Sequence, residues 1–310
     1  MNTNFENVCE MQNKIKKVKE EKNILVLAHY YQDLAIQDCA DFCGDSFELA
    51  KIARSNEKHL IVFCGVKFMA ESAKIMNPEK RVFLPRTDAG CPMADMVTPE
   101  IVLEMKKAHP NALVVCYINS SSETKAISDI CVTSSNALKV VSSLDTDEII
   151  FVPDKNLGNY VSKQFPDKKF YFHNGFCPTH KNVTASEVIK AKEKYPDALL
   201  TVHPECEPEV VKLADHSGST KEILEFCRKT PAKRFLVGTE ISIVERLARE
   251  MPQKEFILLS PYLVCPNMKK TELSDLLYTL ENLNNEIFIS KEDIKASSIP
   301  LERMLAAAQK

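Results

Sequence analysis

The sequence predicts an α/β protein: three homologous αβα sandwich domains with parallel sheets, arranged around a pseudo-threefold axis, with the active site at their central junction. Three observations carry this prediction. Short apolar runs alternate with amphipathic stretches of helical length, the pattern of parallel sheets covered by helices on both faces. The same punctuation recurs three times, at a period of roughly 87 residues. Polar and cysteine-bearing residues recur just beyond the carboxyl ends of the strands, where open α/β sheets bind their ligands.

Each unit opens with an apolar strand, reading NILVLAHYYQ, NALVVCYINS and DALLTVHPEC in turn. Aligning the three places His29, Tyr117 and His203 in equivalent positions, and Tyr31, Asn119 and Glu205 two residues further on. About 17 residues after the first position stand Ser46, Ser134 and Ser219, the last followed by Thr220. Each serine leads into a helical pattern: SFELAKIA, SSNALKVV or STKEILEF. A second strand follows in HLIVFCGVKF, EIIFVPDKNL and KRFLVGTEIS, then a helix, then a strand in RVFLP, KFYFH and EFILL. These last strands run into Cys-Pro loops, GCPMAD, FCPTHK and VCPNMK, which carry Cys91, Cys177 and Cys265 at the same period. An amphipathic helix follows each loop, with a threonine as its N-cap. The expected division is residues 1–97 for the first repeat with an N-terminal helix, 98–184 for the second and 185–271 for the third. Residues 272–310 are expected to form a helical segment that packs back on the body.

The composition narrows the function. A net charge of -3 supplies no basic field for nucleic acid. The N-terminus is polar, with no signal peptide, and the apolar runs are far too short to span a bilayer, so a cytoplasmic protein without membrane contact is expected. Eleven cysteines are an odd number in a chain long enough to bury a core without staples. A secreted disulfide framework therefore fits poorly, and reduced thiols, some of them ligands, fit better.

Thiolates are soft ligands that select zinc, copper or iron-sulfur clusters, so three equivalent cysteines on three equivalent loops form a candidate metal triad. A duplicated turn explains any one of them, but explains all three together less well. A four-iron cluster is usually held by four cysteines; three leave one iron open to water or substrate, as a Lewis acid. Cys64 and Cys116 fall inside apolar strands and read as core residues. Cys39 and Cys43, one helical turn apart, lack a matching second pair, and Cys206 has no repeat equivalent. Around the triad, His29, Tyr31, Tyr117, Asn119, His203 and Glu205 supply donors, acceptors and one carboxylate. Glu205 and His203 are the candidate general acid and base, and Tyr31 a donor for an enolate or alkoxide. Serines at helix starts are ordinary caps, yet free amides at such ends also bind anions. His180, in FCPTH, shields the cluster, hydrogen-bonds it or stands idle.

AHYYQ at His29, GDSFELA at Ser46, CYINSSSETKA at Tyr117, HPEC at His203, GST at Thr220, GTE at Thr239 and the three Cys-Pro loops together closely resemble the quinolinate synthase family, the A protein of bacterial NAD biosynthesis. The resemblance spans nearly the whole chain. It implies a triangular fold of three αβα domains around one [4Fe-4S] cluster per chain, held by Cys91, Cys177 and Cys265. It also implies a transferase that condenses iminoaspartate with dihydroxyacetone phosphate, losing phosphate and two waters, to give quinolinate. The residues it carries over for substrate binding or catalysis are His29, Ser46, Tyr117, Ile118, Asn119, Ser134, His203, Pro204, Glu205, Ser219 and Thr220, with Tyr31 as acid or base. Because iminoaspartate is unstable, functional coupling to an L-aspartate oxidase or dehydrogenase is implied, with free diffusion an equal alternative. Longer members carry a Cys-x2-Cys-x2-Cys run at the third loop. This chain has Cys265-Pro266-Asn267-Met268 there, so no local disulfide can form. The rival functions are another open-iron hydro-lyase, an iron-sulfur sensor or carrier, and a structural zinc site.

Overall fold

The computed structural model describes residues 2–309. It contains three four-stranded sheets of identical topology. The first holds β1 (Ile24–His29), β2 (Phe42–Gly44), β3 (Leu60–Cys64) and β4 (Arg81–Phe83), in the order β2-β1-β3-β4. The second holds β5 (Leu113–Tyr117), β6 (Ile130–Val132), β7 (Glu148–Val152) and β8 (Lys169–Phe172), in the order β6-β5-β7-β8. The third holds β9 (Leu199–Val202), β10 (His216–Ser217), β11 (Arg234–Gly238) and β12 (Glu255–Leu258), in the order β10-β9-β11-β12. All the strand pairings within the sheets are parallel. In this order the chain steps first to one side of the opening strand and then to the other. A crevice therefore opens at that strand's carboxyl end. His29 and Tyr117 are the last residues of β1 and β5, and His203 follows β9 directly.

The opening strands form where they do because both of their faces are covered: all six residues of β1 are buried, as continuous apolar runs in parallel sheets require. Each sheet has one strand more than the sequence pattern suggested. The additional strands β2, β6 and β10 have two or three residues, too few for any period to register. They are held by a repeated device rather than by propensity. The Asp41 amide donates to the Val26 carbonyl while its Oδ2 accepts the Val26 amide at 2.8 Å. Asp129 with Val114 and Asp215 with Leu200 do the same, each at 2.8 Å. The aspartate thus completes two hydrogen bonds of the opening strand just before the short strand begins.

The helix starts differ among the repeats. Helix Ser46–Ser55 is capped by Asp45, so Ser46 is its first residue rather than its cap. Helix Ala137–Ser142 begins after Asn136, two residues beyond Ser134, and Oδ1 of Asn136 accepts the Thr133 amide rather than an amide of the helix. Ser219 does cap helix Thr220–Lys229, through a capping box with Glu222.

Beyond the third sheet, helix Leu273–Asn282 packs on the N-terminal helix Asn2–Glu21, with Leu276 and Leu280 against Ile15 in a cluster beneath the first sheet. The chain then runs antiparallel to β4, where Leu84 donates to Asn285 and Ile287 to Val82. Helix Lys291–Ala307 lies against helices Lys67–Met76 and Ser122–Ala126, tying the first repeat to the second. Among the described residues no helix is long and apolar enough to cross a membrane.

Candidate active site

The carboxyl ends of the three opening strands and the three Cys-Pro loops meet on one cavity of about 120 Å³. Cys91, Cys177 and Cys265 line it together with His29, Tyr31, Ser46, Tyr117, Asn119, Ser134, His203, Glu205 and Thr220. Three expected residues are not on its wall. Ile118 turns away because side chains alternate along the strand end, which leaves Tyr117 and Asn119 facing in and Ile118 in the apolar core. Pro204, between His203 and Glu205, is likewise buried off the wall. Ser219 spends its oxygen on the Glu222 amide at 3.3 Å, and its neighbour Thr220 faces the cavity instead. Residues that the sequence pattern did not single out also line it, notably Asp45 and Thr133.

All three cysteines are free thiols. Burial pushes all three up, Cys91 to about 12, so as free acids they stay protonated. Backbone N–H groups work against that burial in a repeated arrangement. The Met93 and Ala94 amides reach Cys91, that of His180 reaches Cys177, and those of Asn267 and Met268 reach Cys265. The proline after each cysteine carries no N–H, so the donors come from beyond it, two in the first and third loops and one in the second. Amides aimed at sulfur stabilise thiolate ligands. Among the described residues no lysine or arginine lines the cavity, so a bound cationic group is what would balance three thiolates there. The donor set therefore fits a soft metal centre. Cys177, His180 and Glu205 also bring one ligand atom each within 4.8 Å of one another.

The remaining polar groups form a connected network. The Glu205 amide donates to Nδ1 of His203 at 3.3 Å, which leaves the ring proton on Nε2, 3.3 Å from Ser134 Oγ. Glu205 Oε2 stands 3.5 Å from that same Nδ1, a longer contact than the amide's. His29 repeats the arrangement, its Nδ1 accepting the Tyr31 amide at 3.1 Å. Burial lowers both rings, His29 to about 3 and His203 to about 4, so both are neutral near pH 7. Glu205 accepts from the Tyr117 hydroxyl at 2.8 Å and lies 2.8 Å from Nδ1 of His180. Its burial opposes ionisation, but the His203 and His180 rings and the Tyr117 hydroxyl hold it down at about 2. From His180 the network continues through Nε2 to Thr239 Oγ1 at 3.1 Å, then to the Tyr31 hydroxyl at 2.8 Å and Thr220 Oγ1 at 2.9 Å. His180 is thus neither idle nor a simple shield. It joins Glu205 and Cys177, whose Sγ is 3.2 Å from Nδ1, to the hydroxyls on the far wall. Burial keeps the Tyr31 and Tyr117 phenols protonated, well above the usual phenol range.

The chain matches the family model described as Quinolinate synthetase A protein over residues 13–306. It is 52% identical over 297 residues to the quinolinate synthase of Geotalea uraniireducens, covering 96% of this chain and 97% of that one. It is 48% identical to the quinolinate synthase of Caldicellulosiruptor bescii, covering 96% and 99%, and 48% identical to that of Clostridioides difficile, covering 90% and 91%. Three repeats that deliver three cysteines and a histidine-glutamate-tyrosine network to one cavity, in a chain matched almost end to end, belong to the quinolinate synthetase A protein family.

Proposed function

We propose that this chain makes quinolinate, as the name of its relatives says, by condensing iminoaspartate with dihydroxyacetone phosphate with loss of phosphate and two waters. The observation that carries the proposal is the meeting of all three Cys-Pro loops on one cavity with Glu205, Tyr31 and the helix starts. Cys91, Cys177 and Cys265 hold a [4Fe-4S] cluster in this reading. When bound through three cysteines, it supplies an open iron as a Lewis acid for carboxylate and hydroxyl groups.

The chain's own residues divide the rest of the work. His29 and His203 are neutral and offer Nε2–H groups, so they orient substrate oxygens as donors. Asn119 adds an amide, and the Ser134 hydroxyl is positioned by His203. Glu205 is the ionised acceptor for the proton that carbon–carbon bond formation releases. Its basicity rises when a substrate draws the Tyr117 hydroxyl away. Tyr31, protonated and braced by two threonines, donates to a departing hydroxyl, which then leaves as water. Helices Ser46–Ser55 and Thr220–Lys229 present first-turn amides that have no acceptor within the helix, and these with Ser46, Ser134 and Thr220 receive the phosphate.

The same reading divides the chain at 1–97, 98–184, 185–271 and 272–310. It places the enzyme in the cytoplasm, where thiols stay reduced. It also couples the enzyme, physically or by diffusion, to an L-aspartate oxidase or dehydrogenase that supplies iminoaspartate. The test is product analysis of the holoenzyme with iminoaspartate, with and without dihydroxyacetone phosphate, beside Glu205→Gln. Quinolinate is expected only with both substrates and the wild-type chain, and the variant should lose at least about a hundredfold in kcat. Turnover of a hydroxy-diacid alone would favour the hydro-lyase. Full activity in Glu205→Gln would remove the assigned base.

A further inference from the structure

Asp45 holds helix Ser46–Ser55 with one carboxyl oxygen, Oδ1, which accepts the Glu48 amide at 2.9 Å. A cap needs only one acceptor. Counted from His29, Tyr117 and His203, the residues at the same offset as Asp45 are Thr133 and Ser219, which have a single side-chain oxygen each. The second oxygen of Asp45 is therefore surplus to the fold. It is also poorly paired: Asp45 is 5% exposed, and Oδ2 makes no well-formed hydrogen bond among the described residues, the Ser135 hydroxyl being only a loose neighbour of the carboxyl. Leaving a buried acceptor unpaired costs about 1–3 kcal/mol. The residue lines the active-site cavity, so a bound ligand is the partner that relieves this cost.

The three repeats converge around the Asp45 carboxyl. Glu48 faces it from its own helix and Lys221 from helix Thr220–Lys229, the two joined at 2.5 Å. Ser135 faces it from the second repeat, and the Tyr30 phenol is a further titratable neighbour. Ser46, Ser134 and Thr220 share the cavity wall with it. This is the cradle assigned above to the phosphate of dihydroxyacetone phosphate, and the inference rests on that assignment.

An ionised carboxylate would repel a phosphate dianion there, whereas a protonated one donates to it. Burial pushes Asp45 up to about 6, against the Glu48 amide, the Ser135 hydroxyl and Lys221, which favour its charged form. An adjacent dianion adds to the upward push.

We propose that Asp45 is a further catalytic residue, whose Oδ2 hydroxyl hydrogen-bonds the substrate phosphate and protonates it as it leaves. In that elimination the neighbouring C–H bond breaks, its proton goes to Glu205, and its electron pair forms the new double bond. The C–O bond to phosphate breaks with its pair on the phosphate oxygen. A monoester dianion would otherwise depart as the trianion; the Asp45 proton makes it the dianion. Asp45 is left as a carboxylate and regains a proton from solvent once the phosphate has gone.

The test uses holoenzyme carrying Asp45→Asn or Asp45→Ser, both of which keep a capping oxygen and so a near-normal melting temperature. Phosphate release and quinolinate formation are expected to fall by about a hundredfold or more, with the KM for iminoaspartate unchanged. The wild-type kcat should decline on the alkaline side as Asp45 loses its proton, and the Asn variant should lack that limb. A wild type that makes quinolinate beside an Asn variant equally fast at every pH overturns this inference alone. A wild type that releases no phosphate from the substrate overturns the functional reading and the inference with it.

Discussion

Tyr31 shows how much chemistry a single side chain concentrates in this cavity. Its hydroxyl is the one group that touches both the helix-start threonine, Thr220, and the Thr239–His180 path to Glu205. Tyr31→Phe removes that oxygen and little volume. It should lower kcat by about 10²- to 10⁴-fold with only a small change in melting temperature, as anaerobic kinetics and calorimetry on one preparation would show. A second prediction concerns acid. His29 and His203 bind protons at about 3 and about 4 in the fold, but near 6.5 when unfolded. The unfolded chain therefore binds more protons as pH falls below about 6.5, and stability present above that value is lost on the way to pH 4. Glu205, depressed to about 2, adds its own loss only below its unfolded value near 4.3. Denaturation midpoints measured from pH 7 to 4 should fall for the wild type and less steeply for His203→Gln. Equal slopes would show that His203 is not buried neutral. The site histidines, tyrosines and cysteines were legible because the repeat aligns them. Asp45 was not, because an aspartate before a helix reads as an ordinary cap and only its poorly paired second oxygen distinguishes it.

At the scale of elements, strand, helix and loop order followed from apolar runs and Cys-Pro punctuation. Strands of two or three residues did not, since their position depends on the Asp41, Asp129 and Asp215 hydrogen bonds rather than on a pattern of their own. The loops carry a further asymmetry. In the third repeat Glu240, fully buried, accepts the Cys265 amide at 3.4 Å and pairs with Lys269 at 3.3 Å. In the second, Asp154 receives the Cys177 amide. The first repeat places Val66 at the corresponding position, ahead of helix Lys67–Met76. Glu240→Ala removes the acceptor of the Cys265 amide, while Lys269 keeps Asp33 at 3.0 Å and the Tyr31 carbonyl at 3.0 Å, so the loss is about 1–3 kcal/mol for the unpaired amide. Chemical denaturation would measure that cost. Iron release timed under a chelator should be faster than in the wild type, and an unchanged rate would mean that Glu240 does not hold the third loop.

For the whole molecule, no single repeat builds the site: each sheet offers one Cys-Pro loop and one strand end, and only their meeting encloses the cavity. A period of roughly 87 residues announces three similar units, but how closely their loops approach depends on packing between them, which no local pattern encodes. The C-terminal helix Lys291–Ala307, which ties the first repeat to the second, is likewise legible as a helix but not as a tie. The central claim is that three thiols from three sheets hold one cluster on which synthesis depends. Its most direct test is to purify the protein without oxygen and measure iron, sulfide and quinolinate formation together, for the wild type and Cys177→Ala. We expect a brown wild type with about four irons per chain that makes quinolinate, and a variant that loses both cluster and activity. A folded, colourless wild type that takes up no iron on reconstitution and makes no quinolinate would contradict it.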